Sequence, residues 1–280
     1  MTMFRSGANL SRMTVSANPT GPSPSELWST GDYADVCDRM IPGLGSRLVE
    51  LANVGSAEEV LDVAAGSGNA SLPAARRGAK VTALDITPAL LQIARQRAAA
   101  DGLDIAWVHG DAQAMPFADA RFDTVLSCVG VQFCADAESA AAELVRVCRP
   151  GGRIALIAWT PEGFIGQVLA AVSSATSGNS RPRALDWGSE EAVTDMFGQL
   201  AKDVCFSREH VTMPAPSAAA WVDYMATAYG PMAMARQALQ ARSAWTPVRE
   251  ELRAIAGAHD GGDGDAFSAR AEYLVVVLSR

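Results

Sequence analysis

A doubly wound, mostly parallel α/β sheet is the fold the sequence predicts, and three observations predict it. From residue 56 onward, short aliphatic runs alternate with helix-length stretches. Helix-start and helix-stop residues punctuate that alternation at the expected places. The chain has 280 residues, 49% of them hydrophobic and 19% charged, which suits one α/β domain with an elaboration and excludes disordered, collagen-like and coiled-coil chains.

Residues 60–65, 80–84, 105–109, 124–129 and 153–159 read as strands. Between the first two lies a helix over 71–77, with Pro73 early, Arg76 and Arg77 in its last turn and Gly78 where it stops. Thr87 and Pro88 open the next helix as N-cap and first-turn proline, and Gly102 closes it. Asp136 caps a helix over 137–148, ended by the turn Arg149-Pro150-Gly151-Gly152. Strand, helix and strand in this repetition require right-handed crossovers and a parallel sheet. Near the end, 272–278 is a buried strand and 204–213 its antiparallel partner, with 217–258 helical and 261–264 a loop.

Composition narrows the function. Lys and Arg total 23 against 31 Asp and Glu, a formal charge of −8 with no basic run, so a phosphate backbone would be repelled and a nucleic-acid partner is not expected. Five cysteines, Cys37, Cys128, Cys134, Cys148 and Cys205, form no C-x-x-C pair and read as reduced, mostly buried thiols. No signal peptide and no apolar run of membrane-spanning length is evident, so a cytoplasmic protein is expected. Residues 1–25, rich in Ser, Pro, Gly and Thr, are expected to be disordered, ahead of one domain over 26–280. His109, His210 and His259 are too scattered for a metal cluster, and no metal is expected.

Ligands of such sheets bind at the carboxyl ends of the strands. The first strand runs into Asp62-Val63-Ala64-Ala65-Gly66-Ser67-Gly68-Asn69, a glycine turn whose small residues leave room for a ligand against the backbone. Ser71 replaces the third glycine of a dinucleotide fingerprint, and Asp62 would repel a pyrophosphate, which favours a cationic ligand instead. Asp85, 19 residues after Gly66, is spaced to accept both hydroxyls of a ribose. Asp111 and Ala112 after the third strand suit an adenine, its amino group and its ring. Adenine, ribose and a cationic amino-acid tail together describe S-adenosylmethionine.

The ordered motifs VLDVAAGSGN, VTALDIT, GDAQAMPFADARFDTVLS and LVRVCRPGGRIAL resemble the class I S-adenosylmethionine-dependent methyltransferases, over roughly 100 residues, and in particular the branch similar to ubiquinone and menaquinone biosynthesis enzymes. The resemblance implies a seven-stranded Rossmann-like methyltransferase sheet with a helical insertion before the last strand. It implies a cofactor core over about 45–160 and a substrate or lid region with the terminal hairpin over about 161–280. It also implies that Asp62, Ala64, Gly66, Gly68 and Asn69 hold the methionine part, Asp85 and Ile86 the ribose side, and Asp111 and Ala112 the adenine, with Ser127 and Cys128 on the inner side.

The acceptor is expected to be a small, apolar or aromatic molecule, because the motifs of amino-directed and C5-directed nucleic-acid methylation and the acidic pair of magnesium-dependent catechol enzymes are missing. Trp28, Tyr33, Phe133, Trp159, Tyr224 and Tyr229 are the candidate acceptor contacts. Tyr33 is the candidate for positioning or deprotonating the acceptor, by analogy with lid tyrosines; direct in-line transfer makes a dedicated base optional. A homo-oligomer remains open, as do two other functions: a nicotinamide-dependent oxidoreductase and a non-catalytic, cofactor-binding family member.

Overall fold

A computed structural model of the chain describes residues 22–280 apart from Asp263 and Asp265. Seven strands run β1 (Glu59–Val63), β2 (Lys80–Asp85), β3 (Ile105–His109), β4 (Phe122–Cys128), β5 (Cys148–Trp159), β6 (Asp203–Ala215) and β7 (Phe267–Ser279). They form one sheet in the order β3-β2-β1-β4-β5-β7-β6. The first five strands pair in parallel, and β7 enters antiparallel between β5 and β6. Strand order reverses between β1 and β4, where Val60 faces Thr124 and Asp62 faces Leu126 in register. A crevice therefore opens at their carboxyl ends.

The pleat divides the sheet into two apolar faces. On β5, Ala155, Ile157 and Trp159 join one buried cluster, and Ile154, Leu156 and Ala158 the other. Beta 7 alternates likewise, with Ala269, Ala271, Tyr273 and Val275 on the first face and Leu274, Val276 and Leu278 on the second. Both faces are covered, which explains the unbroken aliphatic runs of the central strands.

Eleven α-helices are present among the described residues. Those of the repeating core are α4 (Ser71–Arg76), α5 (Pro88–Ala100) and α6 (Ala137–Val147). Helix α6 begins where Asp136 accepts a hydrogen bond from the Ser139 amide at 3.0 Å, as the sequence predicts. Thr87 does occupy the N-cap of α5, but its hydroxyl is buried without a partner, so position rather than side-chain capping starts that helix.

Three helices precede the sheet: α1 (Pro24–Ser29), α2 (Tyr33–Met40) and α3 (Leu44–Leu51). Pieces of six or eight residues are too short to show a period by themselves, and none of the three is predicted. Ser23 and Glu26 form a reciprocal capping box on α1, so Ser23 to Ser25 of the expected disordered segment are part of a capped helix; residues 1–21 of that segment lie outside the described residues. Helices α7 (Phe164–Ser177) and α8 (Glu190–Phe197) fill the stretch after β5, joined by a 3-10 turn at Arg183–Gly188. The predicted helix over 217–258 is three helices, α9 (Ala218–Ala228), α10 (Gly230–Gln240) and α11 (Trp245–Ala258). Pro231 in the first turn of α10 and the turn after Gln240 account for the breaks. Of the predicted loop 261–264, Asp263 lies outside the described residues.

The opening helices are locked to this helical insertion. A Cβ on Gly31 would lie 2.4 Å from the Ala228 carbonyl oxygen, and one on Gly230 would lie 2.2 Å from that of Leu27. Only glycine permits either approach, and Gly31 also has a φ of +79°. The Asp32 amide donates to the Ala228 carbonyl at 2.9 Å, and the Tyr224 hydroxyl donates to Asp35 at 2.8 Å. Helices α1 and α2 and the helical insertion thus form one cover above the crevice.

Candidate active site

The crevice holds a cleft lined from below by Ala64, Gly66, Asp85, Ile86, Asp111 and Ala112 and from above by Pro24, Trp28 and Tyr33. Two backbone outliers shape its floor. Ala64 has a φ of +54° at the end of β1, and Val129 has +59° just after β4. For a β-branched residue this is costly, and such strain of about 1–3 kcal/mol each is characteristic of functional turns. The two turns touch, because a Cβ on Gly130 would lie 2.6 Å from Ala64 Cβ.

Asp85 closes β2 and organises the glycine turn. One carboxylate oxygen accepts from the Gly66 amide and the other from the Thr87 amide, both at 2.7 Å. The Gly66 amide is therefore committed to Asp85 rather than free for a ligand. Each carboxylate oxygen keeps a second lone pair toward the cleft that Asp85 lines. Burial raises the Asp85 carboxyl above its ordinary value, while the two amide donors oppose that rise.

Asp62 is 1% exposed and does not line the cleft. The Ser71 hydroxyl donates to its Oδ2 at 2.5 Å, and Oδ1 is buried without a partner. Burial pushes its carboxyl up to about 7, the Asp85 charge adds to this, and the Ser71 bonds resist it. An orphaned acceptor of this kind is what a cationic ligand group approaching the β1 turn would satisfy.

The other expected contacts divide. Asp111 and Ala112 line the cleft, and Asp111 is held by Gln113, whose amide N–H and side-chain NH₂ donate to Oδ1 at 2.9 and 3.0 Å. Gln113 also accepts from the Asp136 amide at 2.7 Å, which ties the loop after β3 to the start of α6. The sequence reading missed Gln113, although its place two residues after an Asp, where it completes an Asx turn, was a usable signal.

Gly68 and Asn69 face a separate groove, and Asn69 donates to Cys37 Sγ at 2.9 Å, anchoring α2. Ser127 spends its hydroxyl on the Val63 carbonyl at 2.8 Å and the Val131 amide at 3.0 Å, a brace between β1 and β4. Cys128 is buried, and burial drives its thiol far above its ordinary value, so it is packing rather than a nucleophile. None of these four lines the cleft.

A second, narrow apolar cavity adjoins the first. It is walled by Val36, Met40, Ile41, Trp159, Ile165, Val168, Leu169, Met213, Trp221, Met225, Tyr229 and Met232, with no charged side chain among the described residues. Tyr33, Val129 and Phe133 line both cavities. Trp28 clamps this junction edge-on, its ring 5.2 Å from Tyr33, 4.9 Å from Phe133 and 5.8 Å from Tyr229. Tyr224 lines neither cavity, because its hydroxyl is turned to Asp35 on α2. Burial raises the Tyr33 phenol well above its ordinary value, which removes it as a base near neutral pH and leaves positioning.

Comparison with known proteins agrees with this geometry. Residues 61–156 match the family model described as a methyltransferase domain. The uncharacterized protein Rv1405c of Mycobacterium tuberculosis is 46% identical over 209 residues, covering 73% of this chain and 76% of that protein. A demethylmenaquinone methyltransferase of Thermus thermophilus is 40% identical over 126 residues, covering 44% of this chain and 57% of that enzyme. Among solved structures, a Bacillus halodurans protein assigned as a methyltransferase superposes with a TM-score of 0.59 at 25% identity, covering 84% of this chain and 97% of that one. A chain with this strand order, these motifs and these relatives belongs to the class I S-adenosylmethionine-dependent methyltransferase family.

Proposed function

We propose that the protein methylates a small apolar or aromatic molecule, with S-adenosylmethionine in the cleft and the acceptor in the adjoining apolar cavity. The observation that carries this is the shared wall of Tyr33, Val129 and Phe133, which leaves one place where the contents of both cavities meet. The cofactor supplies an activated methyl on a sulfonium.

What the chain supplies is holding and alignment. Asp85 and Asp111 would accept hydrogen bonds from ribose and adenine, with Ile86, Leu90 and Ala112 offering apolar contact and Asp62 an anionic field behind the turn. The aromatic clamp excludes water and sets the approach angle of the acceptor, and proximity and orientation of this kind are the main resource for a direct displacement. Lining by four methionines, Met40, Met213, Met225 and Met232, lets the acceptor cavity adapt its shape.

Calorimetry should show binding of S-adenosylmethionine and S-adenosylhomocysteine and none of NADH. Val168→Phe, which intrudes only on the second cavity, should keep that binding and lose methyl transfer from labelled cofactor. Equal transfer by wild type and Val168→Phe would place the acceptor elsewhere.

A further inference from the structure

Resting on the two-cavity reading, we infer that the acceptor is a neutral apolar molecule bearing a carbonyl oxygen, and that Trp221 selects it by donating its indole N–H to that oxygen, away from the atom that takes the methyl. Trp221 is fully buried and lines the second cavity, and its Nε1 has no hydrogen-bond partner among the described residues. The rings packed on it, Phe164 with its centroid 4.6 Å away and Phe267 at 6.4 Å, carry no oxygen or nitrogen to accept. A buried donor without a partner costs stability, so a residue that served packing alone would do better as phenylalanine.

The helix places this donor at the end of the cavity remote from the cofactor. Trp221, Met225 and Tyr229 all line the cavity and stand at i, i+4 and i+8 along α9 and its C-cap, so they form one stripe. Tyr229 is at the junction, its ring 5.8 Å from Trp28 and 6.4 Å from Tyr33. About 12 Å of helix separates it from Trp221. At that far end Trp221 meets Phe267, where the hairpin of β6 and β7, paired through Ala215 and Phe267, runs on past the last pair that β7 makes with β5, Trp159 with Tyr273.

The ligand chemistry follows from what an indole can do. Its N–H donates and does not accept, so a lone-pair oxygen satisfies it and a hydrocarbon leaves it unpaired. A carboxylate would also accept, but it would lose its water in a cavity whose described lining holds no cation. A carbonyl is neutral and accepts, and it meets both conditions. The phenol of Tyr229 can donate or accept and so discriminates less than Trp221.

Two probes of one shape test this on protein holding S-adenosylhomocysteine: acetophenone, and α-methylstyrene, which has CH₂ in place of the carbonyl oxygen. By calorimetry, Trp221→Phe, which keeps a ring and removes the donor, should weaken acetophenone at least about tenfold and leave α-methylstyrene within about threefold. Trp187, whose Nε1 is also buried without a partner but which lines neither cavity, is the control, and Trp187→Phe should change neither affinity. In the infrared, the carbonyl stretch of acetophenone bound to the wild type should lie below its value in hexane, a reading that does not depend on any variant folding. Equal weakening of both probes by Trp221→Phe, no weakening of acetophenone, a selective loss in Trp187→Phe, an unshifted carbonyl stretch, or no binding of acetophenone at all would each overturn the inference. Val168→Phe tests the reading beneath it: both probes should be excluded, and unchanged binding of both would overturn the two-cavity reading instead.

Discussion

Tyr33 separates two roles that a tyrosine over a methyl-transfer site could play. Its ring covers Gly66, where a Cβ would come within 3.4 Å of Tyr33 Cε1, and it forms the junction wall, whereas its phenol is held protonated by burial. Tyr33→Phe should therefore keep turnover within about threefold, and Tyr33→Ala should lower it by tenfold or more, about 1.4 kcal/mol of alignment, in a steady-state assay. Asp85→Asn sets an NH₂ against one of the two backbone amides that Asp85 holds and loses the charge that strengthens hydrogen bonds worth about 1.5–3 kcal/mol, so cofactor affinity should fall at least about tenfold by calorimetry, with some loss of stability in denaturant melts. Asp62 gives a pH signature. Its folded value of about 7 exceeds the ordinary 3.8, so the native chain keeps a proton that the unfolded chain loses. Stability of the cofactor-free protein should then decline as pH rises from about 4 to about 7 and level off above, a contribution of order 4 kcal/mol that Asp62→Asn removes from denaturant melts. These acids were legible in the sequence because each ends a strand. Their first duty was not: Asp85 holds turns and Ser127 braces strands, and such partners become visible only once the backbone closes on itself.

At the scale of elements, the core strands and α4 to α6 could be read because strand and helix alternate there and Pro, Gly or Asp bounds the helices. The cover could not. Helices α1 to α3 are short and owe their stability to packing on α9, α10 and the sheet. The hinge of that cover is the pair of glycine contacts, which makes a sharp test. Gly230→Ala places a methyl 2.2 Å from the Leu27 carbonyl, so the backbone must part there. It should destabilise the protein by about 1–3 kcal/mol and raise hydrogen exchange in α1 and α2 while β1 to β5 keep their protection. Uniform loss of protection across the sheet would show that the cover is not a separate unit. Gly257, on the exposed side of α11 with nothing within 4 Å of a Cβ, is the control, and Gly257→Ala should be neutral or slightly stabilising.

For the whole molecule, ligand and fold are linked through the cover: it joins residues near 24–40 to residues near 218–240, so filling the cleft ties distant parts of one chain. S-adenosylhomocysteine at a hundred times its dissociation constant should stabilise the protein by about 2.7 kcal/mol, seen as a rise of several degrees in melting temperature. The place of β7 has a different kind of consequence, one of timing. The last of the seven strands to be synthesised lies inside the sheet, with β5 on one side and β6 on the other. Until it emerges, the open edge of β5, with Ile154, Leu156 and Ile157 beside it, is a pairing template without its mate. At ribosomal speeds of about 5–20 residues per second, the stretch between β5 and β7 takes on the order of ten seconds to make. During that interval β5 lacks its antiparallel neighbour, so the sheet can close only after the last residues of the strand order have been made.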